Sequence, residues 1–196
     1  MTAFVDSNNV LNAIGGSDNE GKFAPNVVRY DLGNRFRINA HNLDHRIFLP
    51  PIEPKGEPNI DYPSANFQSS VIIPSLQSAL IFGGKSNGYS NKIFSYPLQG
   101  GAWQKLETTG TVPSPRYGHS AVYSPTTDAM WVFGGYDNLS GACNDLYKFN
   151  VKSNEWTKIQ VENKPSPRFA HSSFIIKQGS KKITFSWNSF FKMKMK

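Results

Sequence analysis

The sequence predicts an all-β protein built from repeated four-stranded sheets. Three observations predict it. Paired glycines follow apolar runs at Gly15-Gly16, Gly83-Gly84 and Gly134-Gly135, and the last two pairs stand 51 residues apart. Other residue types keep that register: Arg116 and Arg168 are 52 apart, as are His119 and His171, while Asn91 and Asn144, like Trp103 and Trp156, are 53 apart. Between these landmarks lie apolar, β-branched and aromatic segments of five to seven residues, divided by Gly-, Pro-, Asn- and Asp-rich turns, with no 3.6-residue period long enough for a helix.

The third unit carries the pattern most fully. Strands are expected over 119–123, 129–133 (ending at the diglycine), 144–150 and 155–160, with the turns SPTTD, GGYDNLSGA and VKSN between them. The second unit keeps ALIFGG, NKIFSYPL and AWQKL but reads YPSANFQSSVII where PSPRYGHSAV stands in the third. The first keeps only AIGG and NVVRYDL, and 68 residues separate its diglycine from the next. Residues 33–66 hold Pro50, Pro51, Pro54, Pro58 and Pro63, show few clear strands beyond RIFLP, and are read as a Pro-rich insertion between units. The fourth unit opens with PSPRFAHSSFII and begins its second strand at Ile183–Phe185, but Ser186-Trp187 stands where a diglycine is due near 186. The repeats are therefore expected over residues 1–186, followed by an unstructured basic tail over 187–196.

Composition sets limits on the partners. Of the formal charge of +7, six lysines (Lys177, Lys181, Lys182, Lys192, Lys194, Lys196) fall in the last twenty residues, which hold no Asp or Glu. The remainder is nearly neutral, so no basic face for nucleic acid is expected. No apolar run reaches the roughly 18 residues of a membrane helix, and the N-terminus lacks the basic and apolar regions of a signal peptide. One cysteine, Cys143, permits no internal disulfide and suits a reducing compartment, so the cytoplasm, with the nucleus as second choice, is the expected location. Asn138-Leu139-Ser140 matches a glycosylation sequon and is read as silent there.

The segments PSPRYGHSAV, MWVFGGYDN, NDLYKFNVKSNEWTKI and PSPRFAHSSFII resemble the kelch-repeat family. The resemblance implies a kelch-type β-propeller with about three blades and a partial one, an incomplete ring cut from a larger propeller. A blade is a twisted sheet packed face to face on its neighbours, so the diglycines would admit the adjoining blade, and Tyr30, Tyr96, Phe149, Trp103 and Trp156 would fill the space between blades. It also implies a protein-binding scaffold or adaptor whose partner docks at the propeller mouth, the alternative being a truncated kelch fragment without function of its own. Carried over residue by residue, the site comprises Arg116 and Arg168 with the adjacent Tyr117 and Phe169, suited to an acidic peptide. The polar loops after the diglycines, Lys85–Ser90 and Tyr136–Gly141, would frame that mouth.

Catalysis is not expected, and neither is a cofactor. His119 and His171 fall at one point of successive units and are read as structural; Cys143 is read as an inert thiol; His41 and His45 in HNLDH have helical ligand spacing without a helical pattern. Some propellers resembling kelch proteins are metal enzymes, either copper oxidases related to galactose oxidase or iron-dependent specifier proteins, but neither ligand set is found in this sequence.

Overall fold

A computed structural model of the chain describes residues 2–6, 8–16, 27–31, 48–52, 65–175, 183–187 and 189–193. The strands gather in chain order into successive antiparallel sheets. The first holds Thr2–Val5, Val10–Ile14, Val27–Asp31 and Phe48–Ile52; the second holds Ser69–Ile73, Ser78–Phe82, Ile93–Pro97 and Gln104–Leu106. The third holds Ser120–Ser124, Ala129–Phe133, Leu146–Asn150 and Glu155–Ile159, with Thr109–Gly110 added in parallel along its outer strand. Ser172–Phe174, Ile183–Trp187 and Ser189–Met193 form three strands of a fourth sheet.

The first strands of the four sheets lie side by side: Ser69–Ile73 touches both Thr2–Val5 and Ser120–Ser124, and the latter touches Ser172–Phe174. The cores therefore sit between sheets. Along Ser78–Phe82 the period of two sends Ala79 and Ile81 toward the first sheet, where they pack with Phe4, Ile14, Tyr96 and Trp103. Leu80 and Phe82 face the opposite way and pack with Met130, Val132, Phe149 and Trp156 of the third sheet. In this register Tyr96 corresponds to Phe149 and Trp103 to Trp156, so each aromatic pair covers the sheet that precedes it. The packing role expected of Tyr96, Phe149 and both tryptophans is what the structure shows; the side chain of Tyr30 lies outside the described residues.

The diglycines join one sheet to the next. Gly84 N–H donates to the Arg116 carbonyl at 2.9 Å, and Gly135 N–H repeats this to the Arg168 carbonyl at 2.9 Å. Gly83 and Gly134 adopt φ of +68° and +63°, and a Cβ on either would come within 2.8 Å and 2.7 Å of those same carbonyl oxygens. Conformation and close approach thus both demand glycine. The recurring asparagines do similar service: Asn91 Nδ2 donates to the Pro113 carbonyl and Asn144 Nδ2 to that of Pro165, each at 3.1 Å.

Two expectations change. Phe48–Ile52, inside the segment read as an insertion over 33–66, is the outer strand of the first sheet. An edge strand has one ladder only, so Pro50 and Pro51 are tolerated, and the pairing shifts register between Val27 and Arg29. Ser189–Met193, within the expected unstructured tail, pairs antiparallel with Ile183–Trp187. The run ITFSWNSFF is rich in the aromatic and β-branched residues that favour a pleated surface, and it outweighs the flanking lysines. Ser186 pairs with Ser172 as Phe133 pairs with Ser120, so Trp187 takes the place of the first glycine.

Candidate functional site

The loops at the diglycine end of the sheets bring the expected site residues together, with one exception. Arg116–Tyr117 is a short strand paired with Tyr136–Asp137, which turns through three residues into Gly141–Ala142. Successive residues of a strand point to opposite sides, so Arg116 enters the interior while Tyr117 faces out.

Arg116 is 1% exposed. Its Nε–H donates to the Ser114 carbonyl at 3.1 Å; one terminal nitrogen donates to the Gly134 carbonyl and to Asp145 at 2.9 and 2.6 Å; the other donates to Ser114 Oγ and Asp145 at 2.8 and 3.2 Å. A guanidinium has five N–H donors and all five are consumed within the protein. Burial alone would lower its pKa, but the bidentate hydrogen bond and the charge of Asp145 raise it on balance. Arg116 therefore fastens the loop from within rather than reaching a partner. Arg168 keeps the same local anchors, Nε–H to the Ser166 carbonyl and a terminal N–H to Ser166 Oγ, both at 3.0 Å. It is half-exposed and makes no ion pair among the described residues.

Tyr117 and Phe169 do meet at the surface, their ring centroids 6.2 Å apart. They belong to a larger cluster: Tyr117 also contacts Phe67 at 5.8 Å, Tyr89 at 4.9 Å and Tyr136 at 5.5 Å, and Tyr136 contacts Phe169 at 5.5 Å. Lys85 Nζ stands 5.7 Å from the Tyr89 centroid and 5.5 Å from that of Tyr117. Phe67 and Phe169 are 55% and 46% exposed and the three tyrosines are half-buried, so the cluster meets solvent. Lys85, Tyr89 and Tyr136 stand in the loops that the sequence placed around the mouth, but their convergence on Tyr117 was not readable there. Phe67 was missed altogether. Its signal lies in aligning SANFQ with SPRYGH, which sets Ala65 against Arg116, Phe67 against Gly118 and Gln68 against His119.

The histidines belong to the sheet junctions. His119 Nε2 shares a hydrogen bond with Ser69 Oγ at 2.7 Å and His171 Nε2 with Ser120 Oγ at 2.7 Å, each reaching the preceding sheet. Their rings stand edge-on to Phe82 and Phe133. Burial pushes the His119 pKa down to about 3, with the Arg116 charge adding to the effect, and that of His171 down to about 4, with Arg168 contributing. Cys143 is buried and its thiol is pushed up to about 11 by burial. Asp137 holds the hairpin turn, accepting from Leu139 N–H at 2.9 Å, Ser140 N–H at 2.5 Å and Ser114 Oγ at 2.6 Å. Among the described residues no group of three or more His, Cys, Asp or Glu is placed to hold a metal ion, and His41 and His45 lie outside them. No helix among those residues is long and apolar enough to cross a membrane.

Face-to-face four-stranded sheets with their first strands side by side are the blades of a β-propeller, of which this chain supplies an incomplete ring. The family profile described as "KLHDC2/KLHL20/DRC7 Kelch-repeats domain" matches residues 68–185, more than half of the chain. The protein belongs to the kelch-repeat family. It is similar to mouse "Multiple epidermal growth factor-like domains protein 8", 35% identical over 106 residues that cover 50% of this chain and 4% of that protein. Bovine "Kelch domain-containing protein 3" is 31% identical over 124 residues, covering 60% of this chain and 31% of the other. The Drosophila melanogaster "Leucine-zipper-like transcriptional regulator 1 homolog" is 29% identical over 125 residues, 59% of this chain and 12% of that one. The matched region thus spans no more than 31% of the length of these three relatives.

Proposed function

We propose that the protein is a binding module that holds a segment of a partner protein on the aromatic face around Tyr117, and that it performs no chemistry. The observation that carries this reading is the exposed cluster of Phe67, Tyr89, Tyr117, Tyr136 and Phe169, because clustered, partly exposed aromatic rings supply large contact area at small entropic cost. Membership of the kelch-repeat family supports an interaction scaffold. Tyr117 and Phe169 are the anchors, Arg168 and Lys85 contribute positive charge, and Arg116 positions Tyr117 from below. Asp137 and Asp145 are engaged within the fold, so the face is net attractive to an acidic segment. The reducing interior of the cell, cytoplasm first, is the compartment proposed, since a sequence with one cysteine uses no internal disulfide.

The test compares the full chain with Tyr117→Ala/Phe169→Ala in quantitative affinity capture, alongside thermal melts. The double variant should lose at least about tenfold in recovery of its main partner while still melting cooperatively. Unchanged recovery would refute the assignment of the face. Arg168→Glu should reduce capture further at low salt than at high salt.

A further inference from the structure

The repeat carries two Ser-Pro dipeptides, Ser114-Pro115 and Ser166-Pro167, at one register position but in different surroundings. Ser114 is half-buried and its hydroxyl is committed: it donates to Asp137 at 2.6 Å and accepts from Arg116 at 2.8 Å. Ser166 and Pro167 are exposed, and the hydrogen bond made by Ser166 Oγ is the one it accepts from Arg168 at 3.0 Å. Both lie in residues 160–171, which join Glu155–Ile159 to Ser172–Phe174 without ladder pairing. The Pro165 carbonyl accepts from Asn144 and Arg168 N–H donates to the Cys143 carbonyl, which leaves the exposed dipeptide between two fixed points.

The cation beside Ser166 lacks the acid that its counterpart has. Arg116 is neutralised by Asp145 at 2.6 Å. In the fourth sheet Ser186 pairs with Phe190 as Phe133 pairs with Leu146, which puts Ser189 at the register position of Asp145. Arg168 is tied to Ser166 by the same two local bonds that tie Arg116 to Ser114, yet it makes no ion pair among the described residues. Lys164, two residues before Ser166, is exposed and adds positive charge; Glu162, four before, is also exposed and opposes it. A half-exposed guanidinium beside a serine hydroxyl and without a carboxylate is placed to hold a phosphate carried on that hydroxyl. Such a group brings a charge of about −1.5 to −2 and three strong acceptor oxygens.

We propose that Ser166 is a phosphorylation site for a proline-directed serine/threonine kinase, and that Arg168 holds the phosphate. Pro167 has no N–H to offer, so the kinase is of the class that accepts proline after the serine. Ser166 Oγ attacks the γ-phosphorus of ATP, the bond from that phosphorus to the β–γ bridging oxygen breaks, the hydroxyl proton passes to the kinase's catalytic carboxylate, and ADP leaves. Ser114 presents the same dipeptide, but its hydroxyl proton is already given to Asp137. The phosphate cancels the charge that Arg168 lends to the face of Tyr117 and Phe169, so the modified chain holds an acidic segment less tightly. That consequence alone rests on the reading of the face as a protein-binding surface.

The experiment incubates the full chain with ATP and a purified mitogen-activated protein kinase and maps phosphoserine by mass spectrometry. Ser166 should gain phosphate at least about tenfold faster than Ser114, and Ser166→Ala should remove most of the incorporation. A phosphorus NMR titration reads the pairing: the second pKa of the phosphoserine, ordinarily about 6, should fall by at least about 0.5, and Arg168→Gln should restore it. In affinity capture the phosphorylated chain should recover at least about fivefold less of the partner that Tyr117→Ala/Phe169→Ala loses. Phosphate on Ser114 at an equal rate, or none on Ser166, would overturn the site. A pKa near 6 in both the parent and Arg168→Gln would overturn the pairing, and unchanged capture would overturn the regulatory step. Capture that does not depend on Tyr117 and Phe169 would instead remove the face and that step, while mapping and titration still decide the modification.

Discussion

Removing the carboxylate of Asp145 is the sharpest perturbation the fold offers. Asp145 supplies two of the five acceptors that hold Arg116, at 2.6 and 3.2 Å, and the two side chains are 17% and 1% exposed. Asp145→Ala leaves a guanidinium in the interior with two donors unmatched, and breaking a buried pair from one side costs about 3–5 kcal/mol. Because Asp145 stands at the edge of the interior, water can reach part of the space it vacates, so the lower end, about 3 kcal/mol, is expected. With a urea slope of about 2 kcal/mol/M, the unfolding midpoint should fall by about 1.5 M. Arg116→Ala/Asp145→Ala should cost clearly less than the two single changes summed, with a coupling of at least about 2 kcal/mol, because the double variant leaves no uncompensated charge. The second unit lacks both members of the pair, with Ala65 and Lys92 at the two positions. A single Asp145→Ala variant within about 0.5 kcal/mol of the parent, or an additive cycle, would refute the reasoning.

Other expectations follow from the junctions between sheets. Both histidines have folded pKa values below the ordinary 6.5, at about 3 and about 4, so the fold favours the neutral ring. Their contribution is complete above about pH 6.5 and is lost as pH falls toward those folded values; at pH 5 each should cost about 2 kcal/mol relative to pH 8, measured as the shift in urea midpoint. His119→Gln, the residue the second unit uses at Gln68, should flatten that dependence by about half, and an unchanged profile would contradict the assignment. Trp156 is 1% exposed with its ring 5.0 Å from those of Phe82 and Phe149, so Trp156→Ala should cost about 3–5 kcal/mol in a denaturant titration. Hydroxyl pairs join successive first strands at Thr2–Ser70 and Ser120–Ser173, but Ala121 stands where Ser70 and Ser173 do, opposite Ser69. Ala121→Ser should therefore raise stability by about 0.5–1 kcal/mol, and a lowered melting temperature would argue against that register.

The fold was legible where residues recur, because a recurring residue marks a repeated backbone need. The third unit shows it: strands expected over 119–123, 129–133, 144–150 and 155–160 are found at Ser120–Ser124, Ala129–Phe133, Leu146–Asn150 and Glu155–Ile159. Differences of one or two residues fall at the ends, where ladder pairing and not side-chain type decides the boundary. RIFLP was readable as a strand, but its place as the fourth strand of the first sheet was hidden for the opposite reason. Pro50 and Pro51 argue against a strand unless it lies on an edge, and edge position is a tertiary fact that local sequence does not carry.

The site was half legible, and the division is instructive. Arg116 recurs, is polar and sits in a loop, which on sequence grounds suits a surface contact; its placement depends on Asp145, 29 residues away, and only the joint change to Ala65 and Lys92 in the second unit betrays the pair. Arg, His, Asn and the diglycines recur because each binds one blade to the next or fastens a loop within it, and a partner cannot use groups already spent in that way. On the proposed reading, binding specificity comes from the positions that share the same loops but change between units. Asn66, Tyr117 and Phe169 occupy one such position, while Lys85 and Tyr136 occupy another, and nearly all of them enter the exposed cluster. In this chain the repeated residues build the platform, and the residues that break the repeat give the surface its chemical character.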